Sequence, residues 1–207
     1  MPAFFSKNTK IMMTLENDWK LRKDTLLLRD ALCEFFEEYY GKIRFLEEKN
    51  IGKVRADIIA VLPDGLCGIE IKSHSDSYTR LAAQINGYDQ YCDFSYLCAG
   101  SIHSHAEEHI PPEWGLVSMT VRKGVSFQIV RTPQKNPKDV MKNQLTLLWR
   151  SELSDILREE NLPRYTGKGK KFICDALLKK VPHERLKARL CECLFERDYT
   201  KYENRSI

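Results

Sequence analysis

The feature that most constrains this chain is a pair of apolar, β-branched runs separated by a turn signal and carrying three regularly spaced charges. Val54-Arg55-Ala56-Asp57-Ile58-Ile59-Ala60-Val61-Leu62 leads into Pro63-Asp64-Gly65, and Leu66-Cys67-Gly68-Ile69-Glu70-Ile71-Lys72 leads out. Proline presets φ and Asp-Gly accepts the backbone of a tight reversal, so the segment predicts a β-hairpin. With Asp64-Gly65 as the two loop residues, Pro63 faces Leu66, Ile59 faces Glu70 and Asp57 faces Lys72. Side chains alternate along a strand, so Asp57, Glu70 and Lys72 share one face and Ile58 and Ile71 the other. Opposed Cβ atoms lie ~5 Å apart and diagonal neighbours ~7–8 Å. At that separation two carboxylates can share a divalent cation with an ammonium beside them.

The surroundings place this hairpin in an α/β context. Over residues 19–40, Leu26, Leu28, Ala31, Leu32, Phe35, Phe36 and Tyr39 recur mostly at three- and four-residue intervals. That spacing predicts an amphipathic helix, flanked by Glu34, Glu37 and Glu38. Ile43 and Phe45 then alternate with Lys42 and Arg44 in a first strand expected to end near Glu47-Glu48-Lys49-Asn50. Ser75 or Asp76 is the expected N-cap of a second helix that turns Leu81, Ala82, Ile85 and Tyr88 inward. Residues 94–99 are a short apolar strand reached through that helix, so parallel pairing is expected. A short helix over 103–109 and two closing strands, 115–121 and 125–130, joined at Lys123-Gly124, complete this part. Residues 1–18 show little periodicity and read as a loose arm.

A linker-like break around residues 132–137 divides the chain into an α/β domain, residues 1–135, and a basic helical subdomain, residues 136–207. Helices are expected over 140–148, 153–160, 172–180 and 184–197, with a basic, glycine-containing loop over 163–171. The expected fold class is α/β, a sandwich around a central mixed sheet with a helical C-terminal part.

Composition excludes more than it selects. A hydrophobic fraction of 43% and a charged fraction of 30% fit a packed core and not a disordered chain. A net charge of +4 over 207 residues is compatible with nucleic acid without singling it out. The seven cysteines are an odd number and sit in apolar runs, which favours buried reduced thiols and a cytoplasmic location. Cys191 and Cys193 have no second pair at a zinc-like distance. No apolar run approaches the ~20 residues of a membrane span, so no membrane association is expected. His103, His105 and His109 with Glu107 and Glu108 read as a charged surface helix. Gly167-Lys168-Gly169-Lys170-Lys171 lacks the spacing and preceding strand of a P-loop. The basic residues from Arg158 to Arg189 read equally as a phosphate-contacting surface and as a solvated helical face among glutamates.

Phosphodiester hydrolysis needs a nucleophilic water and neutralisation of charge at phosphorus. Oxygen ligands holding magnesium, with a lysine near the water, answer both needs. The stretch Val54-Arg55-Ala56-Asp57-Ile58 … Gly68-Ile69-Glu70-Ile71-Lys72-Ser73 resembles the core motif of the PD-(D/E)XK nuclease superfamily. Asp76, Arg80-Leu81, Gln84 and Tyr88 are similar to the MmcB-like subgroup of small bacterial and phage proteins. Gln84-x-x-x-Tyr88 is also similar to the motif that follows E-x-K in RecB-type nucleases. The resemblance spans about residues 42 to 121.

This resemblance implies a restriction-endonuclease-like α/β/α core. It implies that Asp57 and Glu70 bind Mg2+ or Mn2+ with the backbone carbonyl of Ile71, and that Lys72 acts on the attacking water. Gln84 and Tyr88, four apart on one helix face, would contact substrate phosphate or the lysine. Many members carry one more acid before the Asp; Glu47 matches that position best, with Glu48 and Glu34 as alternatives. Asp64, although preceded by Pro63, is explained by turn chemistry. The implied function is a metal-dependent deoxyribonuclease, with DNA favoured over RNA as partner and a homodimer left open. The alternative is a catalytically silent nuclease-fold protein that binds nucleic acid or regulates a partner.

Overall fold

The computed structural model describes residues 10–13, 25–73, 76–100, 105–122, 124–138 and 140–199. Residues 19–24 of the expected first helix, together with Ser75, His103 and Lys123, lie outside the described residues. By their contacts the residues group into two units: 1–62 with 66–138, and 63–65 with 139–207.

In the first unit, helix α1 (Thr25–Tyr40) places Leu28, Ala31, Leu32, Phe35 and Phe36 on one stripe, and all five are buried. It stops at Gly41, whose φ of 81° is a left-handed C-terminal conformation that glycine adopts without strain. The Gly41 N–H donates to the Glu37 carbonyl at 2.8 Å.

Among the described residues, seven strands form one mixed sheet in the order β1-β7-β6-β5-β4-β3-β2. They are β1 (Lys10–Met13), β2 (Arg44–Ile51), β3 (Val54–Leu62), β4 (Gly65–Lys72), β5 (Phe94–Gly100), β6 (Gly115–Val121) and β7 (Val125–Arg131). β2 pairs antiparallel with β3, β4 and β5 pair parallel, and so do β5 and β6. β7 runs antiparallel to both β6 and β1. The parallel β4–β5 step requires a crossover, supplied by a 3-10 turn (Tyr78–Arg80) and helix α2 (Leu81–Tyr91). The mixed sheet and its helices place the chain in the α/β class.

Alternation divides the sheet into two faces. Ile58, Ala60, Cys67, Ile69, Ile71, Tyr96 and Cys98 join the α1 stripe in one apolar cluster. Aromatic contacts tie helix to sheet there, with Phe36 5.2 Å from Tyr96 and Phe35 5.5 Å from Phe127 between ring centroids. α2 covers the other face through two glycines. A Cβ on Gly68 would stand 2.2 Å from Tyr88 Cδ1, and one on Gly87 2.1 Å from Val54 Cγ2. Only glycine permits so close an approach.

Three local expectations are corrected. β2 does not stop at Glu47–Asn50; it continues to Ile51 and reverses at Gly52-Lys53, with Gly52 at φ 62°. The charged residues sit on an edge strand, where solvent accepts them, and do not form a turn. The hairpin loop is Pro63-Asp64, not Asp64-Gly65, since β3 ends at Leu62 and β4 starts at Gly65. An offset of two leaves every side chain on its expected face, because the strand period is two. Within the stretch read as a loose arm, Lys10–Met13 pairs with β7.

The second unit is helical: α3 (Met141–Gln144) continuing as a 3-10 turn (Leu145–Leu147), then α4 (Arg150–Glu159), α5 (Lys170–Lys180) and α6 (His183–Phe195). Leu153, Ile156, Leu157, Ile173, Leu177, Leu186 and Leu190 are buried. Among the described residues no helix is long and apolar enough to cross a membrane.

Candidate active site

β3 and β4 supply Asp57, Glu70 and Lys72 to the face covered by α2, which supplies Gln84 and Tyr88. Glu70 and Lys72 are nearly sealed, at 1% and 4% exposure, and Asp57 is half-buried. Lys72 Nζ donates to Glu70 Oε1 at 2.8 Å and to Gln84 Oε1 at 2.9 Å. Gln84 Nε2 also donates to Glu70 Oε1. Two side chains thus converge on one carboxylate oxygen, while Glu70 Oε2 is buried with no hydrogen-bond partner. Asp57 Oδ2 accepts the Ile71 N–H at 2.9 Å, which locks Asp57 beside the residue that follows Glu70.

Electrostatics match this geometry. Burial, reinforced by the negative charge of Asp57, pushes the Glu70 carboxyl up to about 7, although Lys72 pulls it down. Burial also raises Asp57, opposed by the Ile71 N–H and by Lys72. Two desolvated carboxylates, one with an orphaned oxygen, share one neighbouring cation, Lys72, and so remain short of positive charge. A divalent cation fits that deficit: it would satisfy Oε2 and favour the ionised form of both groups.

Tyr88 is fully buried. Its hydroxyl accepts the Asp57 N–H at 2.9 Å and donates to the Ile69 carbonyl at 3.1 Å, so it braces β3 against β4. This corrects the expectation that Tyr88 meets substrate. Its ring packs edge-on to Trp114 at 5.6 Å, and Trp114 Nε1 donates to Asp89 Oδ1 at 2.9 Å. Gln84 is the member of the Gln-x-x-x-Tyr pair that touches Lys72.

Glu47 is also corrected. It pairs with Ile58, a residue of the α1-side cluster, and therefore points away from Asp57 and Glu70. Its carboxylate is held at 3.2 Å by Arg29 of α1. Glu48 has a φ of 47° and is held by Arg29 at 3.2 Å and Arg55 at 3.4 Å. Glu34 is exposed on α1. Among the described residues no group of three or more His, Cys, Asp or Glu could hold a metal, so the available donors are two carboxylates plus backbone.

Asp76 does not cap α2; its Oδ2 accepts from Ser73 N at 2.8 Å and from Ser73 Oγ at 2.7 Å, closing the chain as it leaves β4. Two residues that brace this unit went unread in the sequence. Arg29 is a charge inside an apolar helical stripe, a signal that it needs acidic partners, here the part-exposed Glu47 and Glu48. Asp93 accepts the Leu66 N–H at 2.8 Å at the start of β4, and its place just before an apolar strand gives no hint of that.

The face extends beyond the charged cluster. Lys72 registers with Ala99, Ala99 with Ser118, and Ser118 with Gln128. Past the small Ala99 side chain, a hollow of about 250 Å3 is lined by Ser118, Thr120, Arg122, Ser126 and Gln128, among others.

Comparison with known proteins adds a family. The model described as bacteriophage P4 protein cII matches residues 42–206. The chain belongs to that family. Among solved structures, a protein of unknown function from Silicibacter pomeroyi is similar, at 21% identity and a TM-score of 0.38, over 61% of this chain and 84% of that one. At that TM-score the likeness carries no weight for fold or function. No curated protein matches the chain.

Proposed function

We propose that the chain is a Mg2+- or Mn2+-dependent nuclease that hydrolyses DNA phosphodiester bonds on a restriction-endonuclease-like α/β/α core. The observation that carries this reading is the unsatisfied, buried Oε2 of Glu70 beside Asp57, with Lys72 fixed between Glu70 and Gln84. Asp57 and Glu70, with backbone at Ile71, would hold the cation. When bound, such an ion supplies charge neutralisation at phosphorus and an acidified water.

The protein's own residues do the rest. Lys72, its ammonium already aimed by two acceptors, orients the attacking water and favours its deprotonated form. Gln84 sets that ammonium in place and would have little entropy left to lose on substrate binding. Tyr88 keeps β3 and β4 in the register that sets Asp57 against Glu70. The hydroxyl-lined row from Ser118 to Gln128 offers donors to the phosphates flanking the scissile bond.

The burial of Glu70 and Lys72 favours a second reading, a catalytically silent nuclease-fold protein that binds nucleic acid or regulates a partner. Incubation with single-stranded, duplex and branched DNA, with and without EDTA, separates the two. The first reading predicts magnesium-dependent cutting that is lost in Glu70→Ala and Lys72→Ala. Binding without metal and without cutting on every substrate would establish the second.

A further inference from the structure

The helical unit carries a surface strip that the proposed hydrolysis does not use. From Arg164 to Lys180 the chain holds six basic residues (Arg164, Lys168, Lys170, Lys171, Lys179 and Lys180) and a single acid, Asp175. That excess of five is larger than the net +4 of the whole protein, so this short segment accounts for its basic character. Only Lys179 and Lys180, in the last turn of α5, favour the helix dipole. Lys170 and Lys171 occupy the first turn of α5, where positive charge opposes the helix dipole, and neither an acidic residue nor a side-chain cap offsets them.

Aromatic rings are threaded through these cations. Phe172 is 45% exposed, unusual for so large an apolar side chain in a helix whose other face is well buried. Tyr165, in the preceding loop at a φ of 46°, lies 5.2 Å from the Phe172 ring. Lys168 Nζ stands 5.4 Å above Phe172, and Lys180 Nζ 5.6 Å from the Tyr165 centroid. Phe172, Ala176 and Lys180 lie at four-residue intervals along one helix face, and Lys180 Nζ also donates to the Tyr165 hydroxyl at 2.9 Å, so rings and cations share one strip.

We propose that this strip is a stacking platform for single-stranded nucleic acid. The exposed Phe172 ring, flanked by the half-buried Tyr165, offers a surface to any base, and the lysines beside them meet the phosphates. A base entering over Phe172 displaces Lys168 from the ring and releases its ammonium to the backbone. An acidic polypeptide would use the lysines and leave the rings idle. A duplex would offer phosphates and keep its bases stacked on one another.

The test is fluorescence anisotropy of a labelled oligo(dT) with the full chain in EDTA, so that binding is read without cleavage and independently of Glu70. Phe172→Ala and Tyr165→Ala each weaken single-strand binding about tenfold or more. Phe172→Leu, which keeps an apolar side chain and loses the ring, weakens it comparably. Lys168→Gln and Lys171→Gln each reduce the salt dependence by about 0.7 per phosphate released. Unchanged affinity in Phe172→Leu, equal affinity for duplex of the same length, or displacement by polyglutamate as effective as by oligo(dT) would each overturn the proposal. So would binding to phosphatidylserine vesicles in place of the oligonucleotide.

Discussion

Each unit holds a largely buried carboxylate–cation pair, Glu70–Lys72 and Glu152–Arg197, and the two differ in what they leave unpaired. In the helical unit, Arg197 Nε and Nη2 donate to the two oxygens of Glu152 at 2.7 and 2.6 Å, and Nη2 also reaches the Leu147 carbonyl at 3.0 Å. The guanidinium lies 4.2 Å from the Trp149 ring centroid, and the Trp149 N–H completes Glu152 at 2.6 Å. Both carboxylate oxygens are used. In the sheet unit, Glu70 Oε1 takes all the donors and Oε2 none. The Arg197–Glu152 pair leaves a donor over, the buried Arg197 Nη1, whereas the Glu70–Lys72 pair leaves an acceptor open. A spare guanidinium N–H offers nothing to a cation; a spare carboxylate oxygen does.

The two pairs should therefore break differently. Lys72→Met is expected to lower DNA cleavage by about 10²–10⁴-fold, the usual range for a group that handles a proton, while the fold survives; initial rates on a cut substrate measure this. Arg197→Ala should instead destabilise the helical unit by about 3–5 kcal/mol, because it strands Glu152, whose side chain is only 13% exposed. Urea unfolding reads that loss, and unchanged stability in Arg197→Ala would erase the contrast.

The pH dependence sharpens the comparison. Glu70 is held near 7 against an ordinary value of 4.5, so the folded state binds its proton more tightly than the unfolded chain does. Stability from this source is present below pH ~4.5 and is lost as pH rises toward ~7, a decline of roughly 3 kcal/mol at most. Under the proposed function, cleavage is expected to run the opposite way, rising with pH as the cation competes more easily with the Glu70 proton. Glu70→Gln should flatten the stability slope; a slope unaltered in that variant would assign it to other groups. The smallest effect expected is for Gly68→Ala. Its Cβ would meet the Tyr88 ring at 2.2 Å and push α2 outward, at about 1–3 kcal/mol of stability. Slower cleavage should accompany it as Gln84 moves off Lys72.

What could be read in the sequence follows from periodicity. The hairpin loop lies one residue from its expected place, yet Asp57, Glu70 and Lys72 share a face, because that change displaces the pairing by two and parity survives. Glu47 shows the opposite case. Its face depends on where β2 turns, and β2 runs on to Ile51, pairing Glu47 with Ile58 on the α1 side. Gln84 and Tyr88 are one helical turn apart, but burial decides their roles: Gln84 reaches Lys72, and Tyr88 is spent on the backbone of Asp57 and Ile69. Contacts between residues distant in sequence, such as Arg29 with Glu48, leave no periodic trace.

The central claim is that Asp57 and Glu70 form a divalent-cation site. Titration of Mn2+ into the metal-free protein, followed by electron paramagnetic resonance of the free ion, tests it most directly. The account predicts one bound Mn2+ per chain at neutral pH, lost in Asp57→Asn and in Glu70→Gln and retained in Arg197→Ala to the extent that this variant folds. Binding that is absent from the wild-type chain, or that survives both carboxylate substitutions, would contradict it.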